Sequence, residues 1–579
     1  MGTEMEIEST ISRVSTAGVV HIHLKTYLIL LSINFAYFAQ LVALVGSGLL
    51  ANSIQALFGG DNASSWFSQA IAIFTVVLSP MVSQLSDVFG RKWPLVFGLL
   101  CGFAGSVVVS RAQSIGTVIA GFCVIGICYG AQPLLHAVAS EVVPRKHRPQ
   151  AQAAINITAG FGAFGAICLG GALLRHNNLS NYRIYFYVAA GIFLIAALGI
   201  AFLFNPLPRE EEITMTTSEK LRQLDWVGYV LFIPGIVLFS VALSWSRNPY
   251  PWSDPRIIAT FVVGVVALIA FGVYEWRFKK DGILNHDLFR DRNFLWALIL
   301  IFVEGLVFWT ANSYFAFEVS TFTQQDLLIA GLHFGMAFLS GMLFSFLSSI
   351  YSSKRKALKM PLALGFGFLL LFNVCLAATA GFNPGNGFWA FGIILGMGLG
   401  IILPLTMVVA QLCTPPALIS SASALIIAVR SLGGTVGLAI NVAIFNSALA
   451  TEIPSKIAAA ALPLGLPPTS LGMFIGGLTT HNETILSHVP GVTPQIIGAG
   501  ANALVRAFGV GFRNCWIAAS CFGVISVIVA FLIRDPESEF TAHIDAPAEL
   551  EVAEKQARLE GLYDKTAHEP KATAKEIEA

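Results

Sequence analysis

An acid deep inside an oily run is costly, and this chain carries one in Phe302-Val-Glu304-Gly305-Leu-Val-Phe308-Trp309. A carboxylate near the middle of a membrane span costs about 2.5–3.5 kcal/mol on insertion scales, so such residues tend to face a cavity and serve function. The chemistry open to a buried carboxyl group is reversible protonation. Glu304 is therefore read as a group that takes up and releases a proton, with a hydrogen-bonded structural acid as the competing reading. Arg430, in Ala428-Val-Arg430-Ser-Leu-Gly433-Gly434, is a second deep ionisable group. It could balance Glu304, meet an anionic or carbonyl-rich ligand, or reach along its stem toward the interface.

Uncharged polar groups in other apolar runs would supply hydrogen bonds instead of charge. Asn34, Tyr37 and Gln40 follow one another at three-residue steps, roughly along one helical face, and Gln132 and His136 are one turn apart. Together with Asn312 they are candidates to line a cavity; hydrogen bonds that hold helices together explain the same residues equally well. Phe308, Trp309 and Phe315 would suit a large apolar ligand, although aromatics in such runs mostly pack in a core or face lipid.

Other chemistries find no support. The eight cysteines lie in or beside apolar runs without Cys-x-x-Cys or His/Cys spacing, so no metal site is expected. No G-x-x-x-x-G-K-[ST] run is present to bind a nucleotide, and His147 and His286 stand apart, so neither a cofactor nor a catalytic residue is expected. With 34 basic and 33 acidic residues, a net charge near +1 gives no electrostatic case for nucleic acid. The polar start, with Glu4, Glu6 and Glu8, lacks the pattern of a cleaved signal peptide.

The elements that must position these residues follow from composition. Of 579 residues, 55% are apolar and only 12% charged, whereas about 25% are charged in soluble domains. Mean hydropathy is +0.73. Many segments of about 20 apolar residues must then lie in lipid. Walking the chain gives an all-α polytopic membrane protein with fourteen spans in a six, two, six pattern. A tail (1–25) leads into a first six-span block (26–205). A connector with two spans (206–292) joins it to a second block (293–533), and an acidic tail follows (534–579). Spans are expected near 418–447 and 512–533, separated by an irregular outer stretch (448–511). There Pro463, Pro467 and Pro468 argue against a fifteenth span. The acidic tail reads as a solvated or partly helical extension.

Lys and Arg of the short loops, among them Arg91, Lys92, Arg145, Lys146, Arg148, Lys354, Arg355 and Lys356, fall on the side that also holds both termini. Short basic loops stay cytoplasmic, which puts both termini inside. The sequons at Asn62, Asn178 and Asn482 then lie outside and are glycosylation candidates. The blocks also echo one another. Pro133/Pro144 and Pro404/Pro415 mark the fourth span of each, and Gly162/Gly165 and Gly434/Gly437 the fifth. Paired halves of this kind occur in transporters built from internal repeats.

Between the second and third spans stands Ser83-Gln-Leu-Ser-Asp87-Val-Phe-Gly90-Arg91-Lys92. It resembles the G-x-x-x-D-R-x-G-R-[RK] element of the major facilitator superfamily, matching at Asp87, Gly90, Arg91 and Lys92. Ser83 and Val88 depart from it. A loop this short needs a residue free to adopt positive φ, which Gly90 supplies. The resemblance implies two six-helix bundles that alternate between inward and outward openings, with Asp87 facing the start of the other half's fifth helix as part of a gate.

A narrower likeness rests on Gly46-Ser-Gly48, Ser140-Glu141-Val-Val-Pro144-Arg-Lys-His-Arg148, Tyr182-Arg183-Ile-Tyr-Phe186, Leu224-Asp225-Trp226-Val-Gly228, Leu243-Ser-Trp245, Tyr250-Pro-Trp252-Ser and Val489-Pro-Gly491-Val-Thr-Pro494. It is similar to the fungal trichothecene efflux pump family, which borders the siderophore-iron transporters. That resemblance implies proton-driven export of a bulky apolar metabolite, with uptake of a ferric siderophore as the alternative. Two departures concern mechanism. Gly121-Phe122-Cys-Val-Ile-Gly126 has Phe122 where drug:proton antiporters commonly carry Arg, and Gly165-Ala166-Ile167 lacks the usual Gly-Pro. A non-transporting sensor on the same fold is a further alternative. The expected partners are a small molecule, protons and the lipid bilayer. The expected form is a monomer, in the plasma membrane first and a vacuolar or vesicle membrane second.

Overall fold

A computed structural model describes residues 24–59, 65–174, 178–206, 216–245, 251–323, 327–381, 384–479 and 483–546. The sequons at Asn62 and Asn482, the first 23 residues and the tail beyond 546 lie outside the described residues. Among the described residues fourteen helical segments are long and apolar enough to cross a membrane. The first block comprises α1 (Leu24–Leu49), α2 (Ser65–Phe89), α3 (Lys92–Arg111), α4 (Ile115–Gly130) with α5 (Gln132–Glu141), α6 (Arg148–Leu174) and α7 (Tyr182–Leu203). Two connecting helices follow, α8 (Trp226–Trp245) and α9 (Pro255–Arg277). The second block holds α10 (Arg292–Thr323), α11 (Leu327–Arg355), α12 (Lys359–Thr379), α13 (Gly387–Leu412), α14 (Ile419–Ala461), a short α15 (Leu471–Thr479) and α16 (Pro494–Ala530). An even number of crossings returns the chain to its starting side, here termed the terminal face.

The fourth span is two helices because Pro133 has no N–H to continue the ladder across Ala131. Its counterpart Pro404 lies inside the unbroken α13. Each block has its own apolar core, one from Ile29 to Phe204 and one mainly from Leu288 to Phe540. The packing within them repeats: first helix on fifth (α1 on α6, α10 on α14), second on fourth (α2 on α4, α11 on α13) and third on sixth (α3 on α7, α12 on α16). Between blocks the second helix of each meets the fifth of the other, α2 on α14 and α11 on α6. This exchange makes the molecule nearly two-fold symmetric about a central axis. The α8–α9 pair stands to one side and touches α2 and α14 through α8.

Two expectations need correction. The stretch 448–511 is mostly helical, since α14 continues to Ala461 and α16 begins at Pro494. Residues 448–461 are rich in alanine, the best helix former. Thr493 caps α16, and Pro494 at its first position costs no hydrogen bond. These extensions enclose a small core of Ile457, Phe474, Leu478, Ile496 and Leu504 with α15, which at nine residues is too short to span. The acidic tail, read as solvated, is docked as far as residue 546. Asp535 accepts the backbone N–H groups of Leu358 and Lys359 at 2.6 and 2.8 Å, at the start of α12.

Candidate functional site

Helices α10 and α14 cross so closely that only glycine fits at the contact. A Cβ on Gly305 would strike the carbonyl of Arg430, and one on Gly433 the carbonyl of Phe302. Gly434 and Gly437 lie against Trp309 and Leu306, which gives the repeated Gly pair of this half its use. In the first half a Cβ on Gly162 would likewise meet the Phe38 carbonyl, whereas Gly165 has open space.

That approach brings Glu304 and Arg430 together. The guanidinium donates Nε to Oε2 at 2.6 Å and Nη2 to Oε1 at 2.8 Å, a two-pronged ion pair. Glu304 is fully buried and the Arg430 side chain is 16% exposed, so the arginine forms the pair's open edge. The Phe308 ring lies 4.8 Å from the guanidinium carbon and covers its other side. Of the roles open to Arg430, the geometry selects balance of the acid.

Both side chains border a central cavity of about 910 Å³, its open mouth included. Its apolar wall includes Leu41, Ile71, Phe338, Met342 and Leu403, and Trp309 and Phe308 add rings. Tyr37, Gln132, Asn156 and Ser431 supply polar groups.

Of the other sequence candidates, Tyr37 and Gln132 line this space and are joined, Gln132 donating Nε2 to the tyrosine oxygen at 3.0 Å. Asn34 instead accepts from Thr158 of α6 at 3.2 Å, and Gln40 donates to the Cys128 carbonyl of α4 at 3.1 Å. The reason is helical geometry: each three-residue step falls about 60° short of a full turn, so when Tyr37 faces the cavity its neighbours face adjoining helices. His136 packs edge-on behind Tyr37 at 5.2 Å. Asn312 is half-buried on α10 away from the cavity lining, and Phe315 is in the core. Asn178 is exposed, accepting from Ser180 at 2.6 Å.

From His136 a polar chain leads to the terminal face. Its Nδ1 meets Gln152 Oε1 at 2.7 Å; Gln152 donates to Ser140 Oγ at 2.6 Å; Ser140 donates to Gln411 Oε1 at 2.6 Å; Gln411 donates to Ser423 Oγ at 2.8 Å. The Ser140–Gln411 link joins the two bundles. Arg148, 1% exposed, reinforces it by donating to the carbonyls of Ser140 (3.3 Å) and Gln411 (3.0 Å). Ser353 of α11 donates to the Lys146 carbonyl at 2.9 Å. The bundles are thus fastened together on this face. The sequence reading had no role for Gln152 or Gln411, although amides inside apolar runs are the signal to look for.

The loop between α2 and α3 belongs to the same closure. Gly90 has φ +86°, as the tight turn requires. Ser83 lies 2.7 Å and Ser86 3.4 Å from Ser420, in the first turn of α14. Arg91 pairs with Glu141 and stands 3.5 Å from Asp87, and Lys92 donates to Asn205 at 2.5 Å. The loop therefore abuts the start of the other half's fifth helix.

Sequence reading also passed over Glu318. It is 1% exposed on α10, three residues beyond the buried Phe315, and accepts the Trp516 indole N–H at 2.6 Å. Among the described residues no group of three or more His, Cys, Asp or Glu side chains is arranged to hold a metal ion.

Residues 33–438 match the family described as Major Facilitator Superfamily. An MFS-type transporter of an Acremonium species is 26% identical over 439 residues, covering 72% of each chain. The trichothecene efflux pump of Fusarium sporotrichioides is 22% identical over 520 residues, covering 86% of this chain and 83% of its own. Among solved structures, a bacterial homologue of the human lysosomal transporter Spinster, inward-facing and unoccupied, superimposes with TM-score 0.53 at 14% identity over 90% of this chain and 98% of its own.

Proposed function

Because this chain belongs to the major facilitator superfamily, we propose that it exports a bulky, uncharged, largely apolar metabolite in exchange for protons, by alternating access of the central cavity. The observation that carries this reading is the Glu304–Arg430 pair on the wall of a largely apolar central cavity. While Glu304 is ionised the pair is neutral, and an apolar solute meets no uncompensated charge. When Glu304 gains a proton, Arg430 is left as a bare cation at the cavity edge. Water then solvates it at the expense of apolar contacts, because burying an unpaired charge beside an apolar ligand is expensive. Proton and solute therefore compete, which is the thermodynamic requirement for antiport. The export direction is supported by the likeness to the trichothecene efflux pump of Fusarium sporotrichioides.

The basic loops assign the terminal face to the cytoplasm, with both termini inside. Asn178 then faces outward as a glycosylation site, and the chain acts as a monomer in the plasma membrane. Asp87, Gly90, Arg91 and Lys92 serve as the inner gate, breaking from the start of α14 when the cavity opens inward.

The test is a thermal-shift survey of the purified protein against uncharged terpenoid and polyketide metabolites, anionic metabolites and ferric siderophores. Ligands that bind the folded state raise its melting temperature, by about 2.7 kcal/mol of stabilisation at one hundred times Kd. Uncharged apolar compounds should protect. Protection by ferric siderophores alone would overturn the export reading.

A further inference from the structure

The loop between α5 and α6 carries an occupant that the transport reading leaves unexplained. The backbone N–H of Arg145 donates to the carbonyl of His543 at 2.9 Å, and that of Lys146 to the carbonyl of Thr541 at 2.9 Å. Ala546 donates to the carbonyl of Glu141 at 3.0 Å. These three main-chain hydrogen bonds fix the tail segment to the loop independently of its side chains. Asp545 is the anchor: its carboxylate is 2% exposed, takes Arg145 Nη2 at 2.8 Å and Nε at 3.2 Å, and pairs with Arg148 as well. Arg145 also donates to Glu539 at 2.6 Å.

The same peptide is fixed to the other bundle a few residues earlier. Arg534 exchanges backbone hydrogen bonds with the Asn293 side chain at 2.9 and 3.0 Å, Asp535 caps α12, and Phe540 is buried in the core of the second bundle. Five residues thus separate an anchor in one bundle from an anchor on the other. The strap reaches the gate directly, since Glu141 pairs with Arg91 and Arg148 hydrogen-bonds Gln411.

We propose that the α5–α6 loop is a docking site for an acidic peptide, occupied here by residues 537–546 of the same chain, and that its occupancy holds the two bundles together on the terminal face. The site recognises main-chain carbonyls, which the N–H groups of Arg145 and Lys146 meet, and an aspartate placed to reach both Arg145 and Arg148. Release of the strap frees the terminal face to open, so the tail sets how often the cavity is exposed there. That consequence rests on the alternating-access reading; the docking does not.

The test measures the distance between spin labels at Gln150→Cys (α6) and Arg355→Cys (α11) in nanodiscs, with the exposed Cys168 and Cys521 replaced by Ser. In the full chain one short distance should dominate at pH 7.5. Asp545→Ala should raise the longer, open population at least about fivefold. Glu539→Gln, at a half-exposed partner, should raise it less, and a synthetic peptide of residues 537–546 added to the Asp545→Ala chain should restore the short distance. A parent distance that responds to pH, with Asp545→Ala identical to the parent at every pH, would overturn the strap alone. A parent distance that never changes between pH 7.5 and 5.5 would instead count against alternating access.

Discussion

Replacing Arg430 by Met should destabilise the purified protein by about 3–5 kcal/mol, because it strands a fully buried carboxylate without its cation. Adding Glu304→Gln should recover most of that loss, since two neutral side chains of similar volume need no charge partner. The double-mutant cycle, read from thermal unfolding in detergent, should therefore give a coupling energy that cancels most of the Arg430→Met penalty. Additive effects of the two substitutions would mean that the two groups do not hold one another. The pair was only one of three readings available for Arg430 in the sequence. What decides it is the glycine contact between α10 and α14, which lets the two backbones approach until a guanidinium reaches a carboxylate.

That contact supports the second large effect. Gly433→Val should abolish transport and lower stability by about 1–3 kcal/mol or more, as overpacking against a backbone carbonyl cannot be relieved by rotating a side chain. Gly165→Ala, at the repeat counterpart of Gly437 and with nothing within 4 Å of the new methyl, should stay within about ±0.5 kcal/mol of the parent. Melting temperatures of the two variants, side by side, check the claim. Equal losses would show that the glycines matter as a composition and not as a contact.

The membrane-spanning architecture was legible because lipid imposes it: long apolar runs and short basic loops leave few choices. Boundaries were less so. α10 continues to Thr323, well beyond the apolar run around Glu304, which is why Glu318 escaped notice. At 448–511 α14 stops at Ala461, ahead of Pro463, and no fifteenth span follows; what was missed is the alanine-rich run that carries α14 that far. Cavity residues were half legible. Glu304, Tyr37, Gln132 and Trp309 are there, while Asn34 and Gln40 turn aside by the drift of the helix. Asp545 could not have been placed at all, since acidity near a terminus says solvated, and its partners lie some 400 positions earlier in the chain.

The resemblance carried by Asp87, Gly90, Arg91 and Lys92 proved the most informative stretch per residue. The end of α2 stands against the first turn of α14 through Ser83, at the motif's leading Gly position, and Ser86, at one of its variable positions. The physics is the same as at α10 and α14: small residues permit close approach, and the polar contacts follow.

Flux in proteoliposomes tests the central claim, that proton exchange at Glu304 drives the solute. With the lumen acidified relative to the bath, the wild-type protein should accumulate a stabilising ligand from the thermal survey, and a protonophore should abolish accumulation. Glu304→Gln with Arg430→Met, neutral at every pH, should still exchange labelled for unlabelled ligand yet accumulate none. Accumulation by that double variant at the wild-type level, with the same protonophore sensitivity, would contradict the account.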